Sequence, residues 1–270
     1  MPFSVKNFFP VRLKYIPWYI FKSPQRKLGF VKSIFLEIIA LFAFLSHVLL
    51  YRFSKKLKPV SICTGIKNRT PQYLDYVLAS ILKMDHKELI EISIFDCGSE
   101  DVTFFEQKIR EAWEGKLIFT REPQHFTRSA SFNAAIDQCT NNLFFASDAD
   151  MTLPKNLVNL CNKYVTRKTA WFPIVYNLFE DRPAEFSRKN GGWRRVGKGM
   201  FASTKTQFEK AGKFNTMYRQ WGWEDIDLWI SYFKAGVVPL RTKCKSMLHH
   251  WHPSLQIKTE TPQHLKKFNI

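Results

Sequence analysis

The 270-residue sequence predicts an α/β fold, a single domain with a mostly parallel central sheet, preceded by a helical, basic and aromatic leader. Three observations predict it. Short β-prone runs alternate with helical periodicities from Lys58 onward, polar residues end each run, and an apolar stretch between basic segments precedes them. With 45% apolar residues, 25 Phe and 8 Trp, the chain is too rich in large apolar side chains for disorder. Its length suits one enzyme-sized core with an appendage and excludes a large multidomain assembly.

Residues 1–58 hold eleven Lys and Arg against one acid, Glu37, a net +10 of the chain's +18. Phe3, Phe8, Phe9, Tyr15, Trp18, Tyr19 and Phe21 interleave with these cations, and Pro10 and Pro17 interrupt any long helix. Rings and long cationic stems both settle at headgroup depth, so the composition predicts attachment to an acidic bilayer. Single-stranded nucleic acid also stacks on rings, but the segment lacks the Gly-punctuated strands of RNA modules, and no nucleic-acid partner is expected. The run Ile34–Tyr51 is apolar all round; as a helix it spans about 27 Å, short of a hydrocarbon core of about 30 Å, and Glu37 disfavours a crossing. The expectation is a leader over residues 1–57 that lies on or dips into the membrane from the cytoplasmic side. A single crossing and a helix packed on the body are the competing readings. The apolar run starts too late for a signal peptide. Cys63, Cys97, Cys139, Cys161 and Cys244 contain no Cys-x-x-Cys pair, which argues against a disulfide framework or structural zinc and for a reducing compartment.

The body opens with the strand Val60–Cys63, then a loop, then Thr70 as N-cap and Pro71 as first residue of a helix carrying Leu74, Val77, Leu78, Ile81 and Leu82. Leu89–Phe95 is a second strand, ending at Asp96-Cys97-Gly98-Ser99, before a helix with Phe105, Ile109 and Trp113. Leu117–Phe119 is a third, before a helix over 130–138, and Leu143–Ala146 a fourth, stopping at Ser147-Asp148-Ala149-Asp150. Such alternation makes a parallel sheet covered on both faces, with ligands at the carboxyl ends of the strands. Attention therefore falls on Thr64, Lys67, Asn68 and Arg69, on Asp96 and Ser99, and on Asp148 and Asp150. Alternate carboxylates at a strand end can converge on a hard cation bound to phosphate, Mg²⁺ or Mn²⁺. The string Asp-x-Asp is common in turns; its place after the fourth buried strand gives it weight.

In the second half, Ile226, Trp229, Ile230 and Phe233 form an apolar helical stripe behind an acidic first turn, and Val237–Leu240 follows as a strand. The helix dipole accounts for Glu224 and Asp227, but not for Trp221-Gly222-Trp223. Indole planes beside Glu224 and Asp225 suit a sugar, and one carboxylate can take the proton of an attacking hydroxyl. His249-His250-Trp251-His252 is either a polar loop or a metal-binding group that approaches Asp150; nitrogen ligands favour Mn²⁺ over Mg²⁺.

Taken in order, Thr64-Gly65-Ile66-Lys67-Asn68-Arg69, Asp96-Cys97-Gly98-Ser99, Arg128-Ser129-Ala130-Ser131-Phe132-Asn133 and Asp148-Ala149-Asp150 resemble the nucleotide-binding half of GT-A, family-2-like glycosyltransferases. Gly199-Met200-Phe201-Ala202, the Trp-Gly-Trp-Glu-Asp run and His249–His252 are similar to the acceptor half of β-1,4-galactosyltransferases and bacterial chondroitin-type polymerases. The resemblance implies a Rossmann-like nucleotide-sugar-binding domain over 58–255, with a tail at 256–270. It implies that Thr64, Asn68 and Asp96, with Arg69 beside them, hold uridine, that Arg128 lies near the diphosphate, and that Trp221 and Trp223 stack on sugar. Asp148 would serve the ribose and the metal, Asp150 would be the direct metal ligand, and His249 or His252 would complete the shell. Asp225 would be the base and Glu224 would orient hydroxyls. Cys97 replaces the family's commoner acid, and Ile226 stands where galactosyltransferases have a third acid. The implied activity is inverting, metal-dependent transfer of a Gal, GalNAc or GlcNAc-type sugar from a UDP-sugar to a saccharide, with a lipid-linked oligosaccharide fitting the leader. The alternative expectation is a non-catalytic carbohydrate- or polyanion-binding protein of the same fold.

Overall fold

The computed structural model describes residues 56–253 apart from 195–196 and 220–221, together with positions 38, 42, 45, 46, 49, 262 and 265. Strand β1 (Val60–Ile66) is buried along its whole length, as a central strand of a doubly covered sheet must be. A helix, α1, follows over 70–81. Its first residue is Thr70 and its N-cap is Arg69, one position earlier than the Thr-Pro pair predicts. The Asp101 carboxylate accounts for the shift: it accepts from the Thr70 N–H (3.0 Å) and hydroxyl (2.8 Å), so that hydroxyl does not cap the helix. The middle of α1, Tyr73–Leu78, is wound as a π-helix, a local form that clusters at functional sites.

Strands β2 (Ile90–Asp96), β3 (Lys116–Arg121) and β4 (Leu143–Ala146) extend the parallel array, with helices α2 (Phe105–Ala112) and α3 (Arg128–Gln138) as crossovers. Val60 lies level with Ile90 on one side and Leu143 on the other, so the strand ends share one edge. The α3 start is a side-chain cap, the Thr127 hydroxyl accepting from the Ala130 N–H.

The remaining strands are short except for the last. They are β5 (Met151–Thr152), β6 (Thr169–Trp171), β7 (Ile174–Leu178), β8 (Gly191–Trp193), β9 (Phe201–Thr204), β10 (Val238–Leu240) and β11 (Lys243–His249). Between them lie α4 (Leu157–Tyr164), α5 (Lys205–Lys210) and α6 (Glu224–Lys234). The central sheet has the order β10-β6-β9-β4-β1-β2-β3, mostly parallel, with β9 antiparallel to β4 and β6. A second sheet, β5-β11-β7-β8, was not expected from the sequence. It joins the end of the Asp-x-Asp segment to the histidine segment, Met151 pairing with His249.

Alternation along the strands divides the core in two. Ile62, Phe145 and Ala202 pack with α1, α2 and α4, whereas Cys63, Phe144 and Phe201 pack with α3, α5 and α6. The second half is dense in rings, Phe144 lying 5.5 Å from both Phe201 and Phe208, and Phe172 5.1 Å from Phe201. Aromatic pairs of this kind add about 0.5–1.5 kcal/mol each beyond area burial. Leu265 is fully buried in the same cluster. The five cysteines are free and buried.

Among the described residues no helix is long and apolar enough to cross a membrane. The membrane leader expected over 1–57 lies outside the described residues except at a few positions. Of these, Ile38, Phe42, Leu45 and Leu49 are helical and exposed.

Candidate active site

At the carboxyl end of β1 and β2, short polar loops face one another. The Thr64 hydroxyl, fully buried, donates to the Ser147 carbonyl (3.0 Å) and ties β1 to the end of β4. Asp96, also buried, accepts from the Ser99 N–H (2.8 Å) and hydroxyl (2.6 Å), and its second oxygen lies 3.7 Å from Arg121. Asn68 is left-handed (φ 50°), a conformation Asn tolerates. Its N–H donates to Ser99 Oγ (2.9 Å) and its side-chain oxygen accepts from the Glu100 N–H (3.0 Å). Arg69 leads into α1, its charge close enough to act on both Asp150 and His252. Cys97 sits buried behind this rim, its thiol pushed up to about 11 by burial and by Asp96.

Arg128, at the first turn of α3, is a hub. Its Nε (3.1 Å) and Nη2 (2.9 Å) both donate to Asp148 Oδ1, Nη2 also donates to the Gly199 carbonyl (2.7 Å), and Nη1 lies 3.8 Å from Glu224. The guanidinium packs 4.4 Å from the Phe132 ring. Burial opposes its charge, but Asp148, Glu224 and Asp225 outweigh that and raise its pKa. A Cβ at Gly199 would stand 3.0 Å from Arg128 and 3.3 Å from Asp148, so any side chain there would make this pair give by a few tenths of an ångström.

Glu224 and Asp225 open α6 from a strained entrance. Gly222 has φ 111° and Trp223 φ 74°, a rare conformation for a bulky residue that the surroundings must impose. Trp221 lies outside the described residues. Burial raises the Glu224 carboxyl above the usual range although Arg128 opposes this, and its Oε2 accepts from the Gly222 N–H (3.0 Å). Asp225 is only partly buried, and its Oδ2 accepts from the Lys198 N–H (2.8 Å). Burial, aided by Arg241, pushes the Lys198 amine down to about 8.

The second cluster lies where β11 meets β5. His249 Nε2 is 3.6 Å from Asp150 Oδ1, and His252 Nε2 is 3.2 Å from Asp150 Oδ2. One ligand atom from each of the three falls within 4.8 Å of the others. Both histidines that the sequence left as alternatives therefore reach Asp150. Burial alone would raise Asp150, but the His252 hydrogen bond and the two imidazoles hold it below the carboxylate range. His252 is raised, chiefly by that bond, while burial pushes His249 down. Asp150 Oδ1 is buried without a hydrogen-bond partner. A carboxylate and two imidazoles with an unsatisfied inward oxygen fit a divalent cation.

Three supporting residues had no distinctive sequence signal. Asn177 lies level with His249 on the adjacent strand β7, and its side-chain oxygen is buried without a partner. Tyr76, from the π-wound part of α1, stacks on His250 at 3.5 Å, and His250 Nε2 bonds Thr152 Oγ1 (2.8 Å). These two contacts brace the segment between His249 and His252. Only the tertiary fold reveals them.

A Rossmann-like sheet with an acidic helix start and an Asp-His-His cluster at its carboxyl edge defines a GT-A glycosyltransferase fold. A family model described as chondroitin N-acetylgalactosaminyltransferase matches residues 75–267, more than half of the chain, and the chain belongs to that family. It is 25% identical over 189 residues to a Mus musculus chondroitin sulfate synthase 3, covering 64% of this chain and 21% of that protein. It is also 28% identical over 167 residues to a Mus musculus N-acetyl-beta-glucosaminyl-glycoprotein 4-beta-N-acetylgalactosaminyltransferase 1, covering 60% and 16%. The match thus spans about a fifth or less of these relatives. Among solved structures, the mannosyltransferase PcManGT from Pyrobaculum calidifontis in complex with GDP-Man and Mn²⁺ aligns with TM-score 0.54 and 14% identity, over 83% of this chain and 68% of that one. S. aureus TarS 1–349 in complex with UDP-GlcNAc aligns with TM-score 0.54 and 11% identity, over 76% and 62%.

Proposed function

We propose that this chain is a metal-dependent, inverting glycosyltransferase that moves a Gal, GalNAc or GlcNAc-type sugar from a UDP-sugar to a saccharide hydroxyl. The observation that carries the reading is the Asp150, His249 and His252 cluster, two residues past an Asp148 whose partner Arg128 also feels the charge of Asp225. Asp150, His249 and His252 would hold a divalent cation, Mn²⁺ before Mg²⁺, which would supply Lewis-acid neutralisation of the charge on departing UDP. On this reading Thr64, Asn68, Arg69 and Asp96 serve the uridine, Asp148 and Arg128 the ribose and diphosphate, and Trp221 and Trp223 the sugar. Asp225 takes the proton of the acceptor hydroxyl as its oxygen bonds the anomeric carbon and the bond to UDP breaks on the opposite face, inverting the centre. The Lys198 N–H fixes the Asp225 carboxylate for that transfer. Glu224 orients hydroxyls.

The acceptor is a saccharide, and a lipid-linked oligosaccharide suits a leader that lies on the cytoplasmic face of a bilayer. Ile38, Phe42, Leu45 and Leu49 recur at helical spacing with their side chains exposed, which supports such an apolar contact. The test of the chemistry is Asp225→Asn. It is expected to lower transfer by about 10²–10⁴-fold while calorimetric affinity for UDP with Mn²⁺ stays unchanged. Loss of that affinity to the same degree would overturn the assignment. A panel of UDP-sugars assayed for Mn²⁺-dependent hydrolysis identifies the donor.

A further inference from the structure

Side chains alternate between the two faces of the second sheet, and residues level with one another on neighbouring strands share a face. Tyr176 on β7 is level with Leu248 on β11 and Trp193 on β8, and these three pack together on one face. One residue further along β7, Asn177 is level with His249 on β11 and Gly192 on β8, so these share the opposite face. Met151, level with His249 on β5, lies there too, and it belongs to the main core with Val175 and Met247. Against this apolar ground Asn177 Oδ1 is buried and, among the described residues, has no hydrogen-bond partner. A buried carbonyl oxygen left unmet is costly, so its place calls for a donor.

The side chains around it narrow the choice of donor. Gly192 has none, and Met151, Val175 and Met247 carry no N–H or O–H. His249 carries a ring nitrogen for the purpose. Its Nε2 is the atom turned to Asp150 Oδ1, at 3.6 Å, and Nδ1 is the second nitrogen of the ring. A neutral imidazole that gives Nε2 to a cation must carry its proton on Nδ1, and a metal-bound histidine almost always donates that N–H to a carboxylate, a carbonyl or water. His252 already shows such an arrangement: Nε2 lies 3.2 Å from Asp150 Oδ2 and Nδ1 lies 3.0 Å from the Pro253 carbonyl, which can only accept. Neighbouring strands run about 4.8 Å apart, which makes the Asn177 amide the neighbour of the His249 ring.

We propose that Asn177 is the positioning residue of His249: its Oδ1 accepts the Nδ1–H of the cation-bound imidazole, fixing the tautomer and holding Nε2 toward the ion shared with Asp150. The two buried oxygens without hydrogen-bond partners, Asp150 Oδ1 and Asn177 Oδ1, then have one explanation. The cation meets the first, and the histidine that binds it meets the second. The proposal rests on the reading of Asp150, His249 and His252 as a cation site.

The experiment is titration of the full chain in detergent with Mn²⁺, free Mn²⁺ being read from its electron paramagnetic resonance signal, first alone and then with UDP. Asn177→Leu keeps the size of the side chain and removes the acceptor, whereas Asn177→Asp keeps an acceptor at the same atom. Asn177→Leu should weaken Mn²⁺ binding by about 10–100-fold, and Asn177→Asp should stay within about threefold of the parent or bind more tightly. In a His249→Ala background Asn177→Leu should cost no further affinity, because the N–H it serves is gone. Thermal melts of the metal-free parent and Asn177→Leu should coincide, and Asn177→Ala carries the same comparison if the leucine variant does not fold. Unchanged Mn²⁺ affinity in Asn177→Leu, equal losses in the leucine and aspartate variants, or a further loss in the His249→Ala background overturns the proposal. So does a loss confined to UDP-GalNAc or UDP-GlcNAc with affinity for Mn²⁺ and UDP intact. That result assigns the amide to the sugar, in the space beside Gly192, where an added Cβ would meet nothing within 4 Å. A parent that binds no Mn²⁺ overturns the cation reading and this proposal with it. A parent and an Asn177→Leu variant that bind Mn²⁺ alike leave the cation reading standing and remove only the role of Asn177.

Discussion

Asp148 and Asp150 leave β4 two residues apart, yet one lies against a guanidinium and the other against two imidazoles. Arg128 cannot give up its charge near neutral pH, and it simultaneously reaches Glu224 on α6, so the Asp148 cluster ties the four-strand parallel half to the second half of the chain. Imidazoles readily exchange a proton for a metal, and Asp150 keeps an oxygen without a hydrogen-bond partner. The same short motif thus divides into a brace and a candidate binding site. The difference teaches that Asp-x-Asp does not by itself place both acids on one ion; the partner delivered from elsewhere in the chain decides.

Arg128→Gln should break the brace most visibly. Removing the guanidinium leaves the buried Glu224 and the partly exposed Asp148 uncompensated, a loss of about 3 kcal/mol in urea unfolding, the low end for a buried pair. UDP affinity with Mn²⁺ in the folded fraction should fall only modestly, less than in Asp150→Ala, because Asp148 and the Gly199 carbonyl already hold the guanidinium. If stability holds and UDP affinity falls instead, Arg128 releases Asp148 to take the diphosphate, and the brace is the resting form of a nucleotide contact.

Asp150→Ala should have the next largest effect, of opposite kind. Mn²⁺-dependent UDP binding is expected to fall by at least about 100-fold, or about 2.7 kcal/mol, by calorimetry, with a smaller loss of stability than Arg128→Gln causes. A variant that binds Mn²⁺ and UDP like its parent would place the cation elsewhere.

Much of this frame is legible in the sequence, for physical reasons that also mark where it stops. Strands β1, β2 and β4 are buried apolar runs and β3 is a half-exposed edge strand, all separated by helical periodicities, so Asp96, Asp148 and Asp150 could be set at one sheet edge from the sequence. Strands β5, β6 and β8 span only two or three residues, and β8 is Gly-Gly-Trp, too short for a period. The second sheet was therefore invisible, and with it the level placement of Asn177 and His249. Arg128 was expected near a diphosphate, but its grip on Glu224 joins positions far apart in the chain and has no local signature. Thr70 illustrates a subtler gap: Thr-Pro is a good helix start, and Asp101, thirty-one residues away, claims the hydroxyl.

Glu91 offers a carboxylate against which both clusters can be read, because it is buried far from the candidate ligand-binding edge. Its Oε1 accepts from Ser61 Oγ (2.7 Å) and the Thr140 N–H (2.8 Å), its Oε2 accepts from the Thr140 hydroxyl, and Lys116 stands 3.0 Å away. Burial would raise this group, but the bonds to its charged form prevail and hold it below the usual carboxylate range. A carboxylate lowered by folding contributes stability above its unfolded value and loses it as pH falls through the folded value. Glu91→Gln should therefore cost about 1–2 kcal/mol at pH 7, and the gap from the parent should narrow below about pH 4 as the parent's own carboxyl protonates. Metal-dependent UDP binding should not change. An effect on that binding as large as that of Asp150→Ala would mean that any buried acid perturbs the site, and the division between brace and binding cluster would lose its basis. An effect confined to stability, and to the pH range above the folded value, separates a carboxylate held for architecture from one held ready for a ligand.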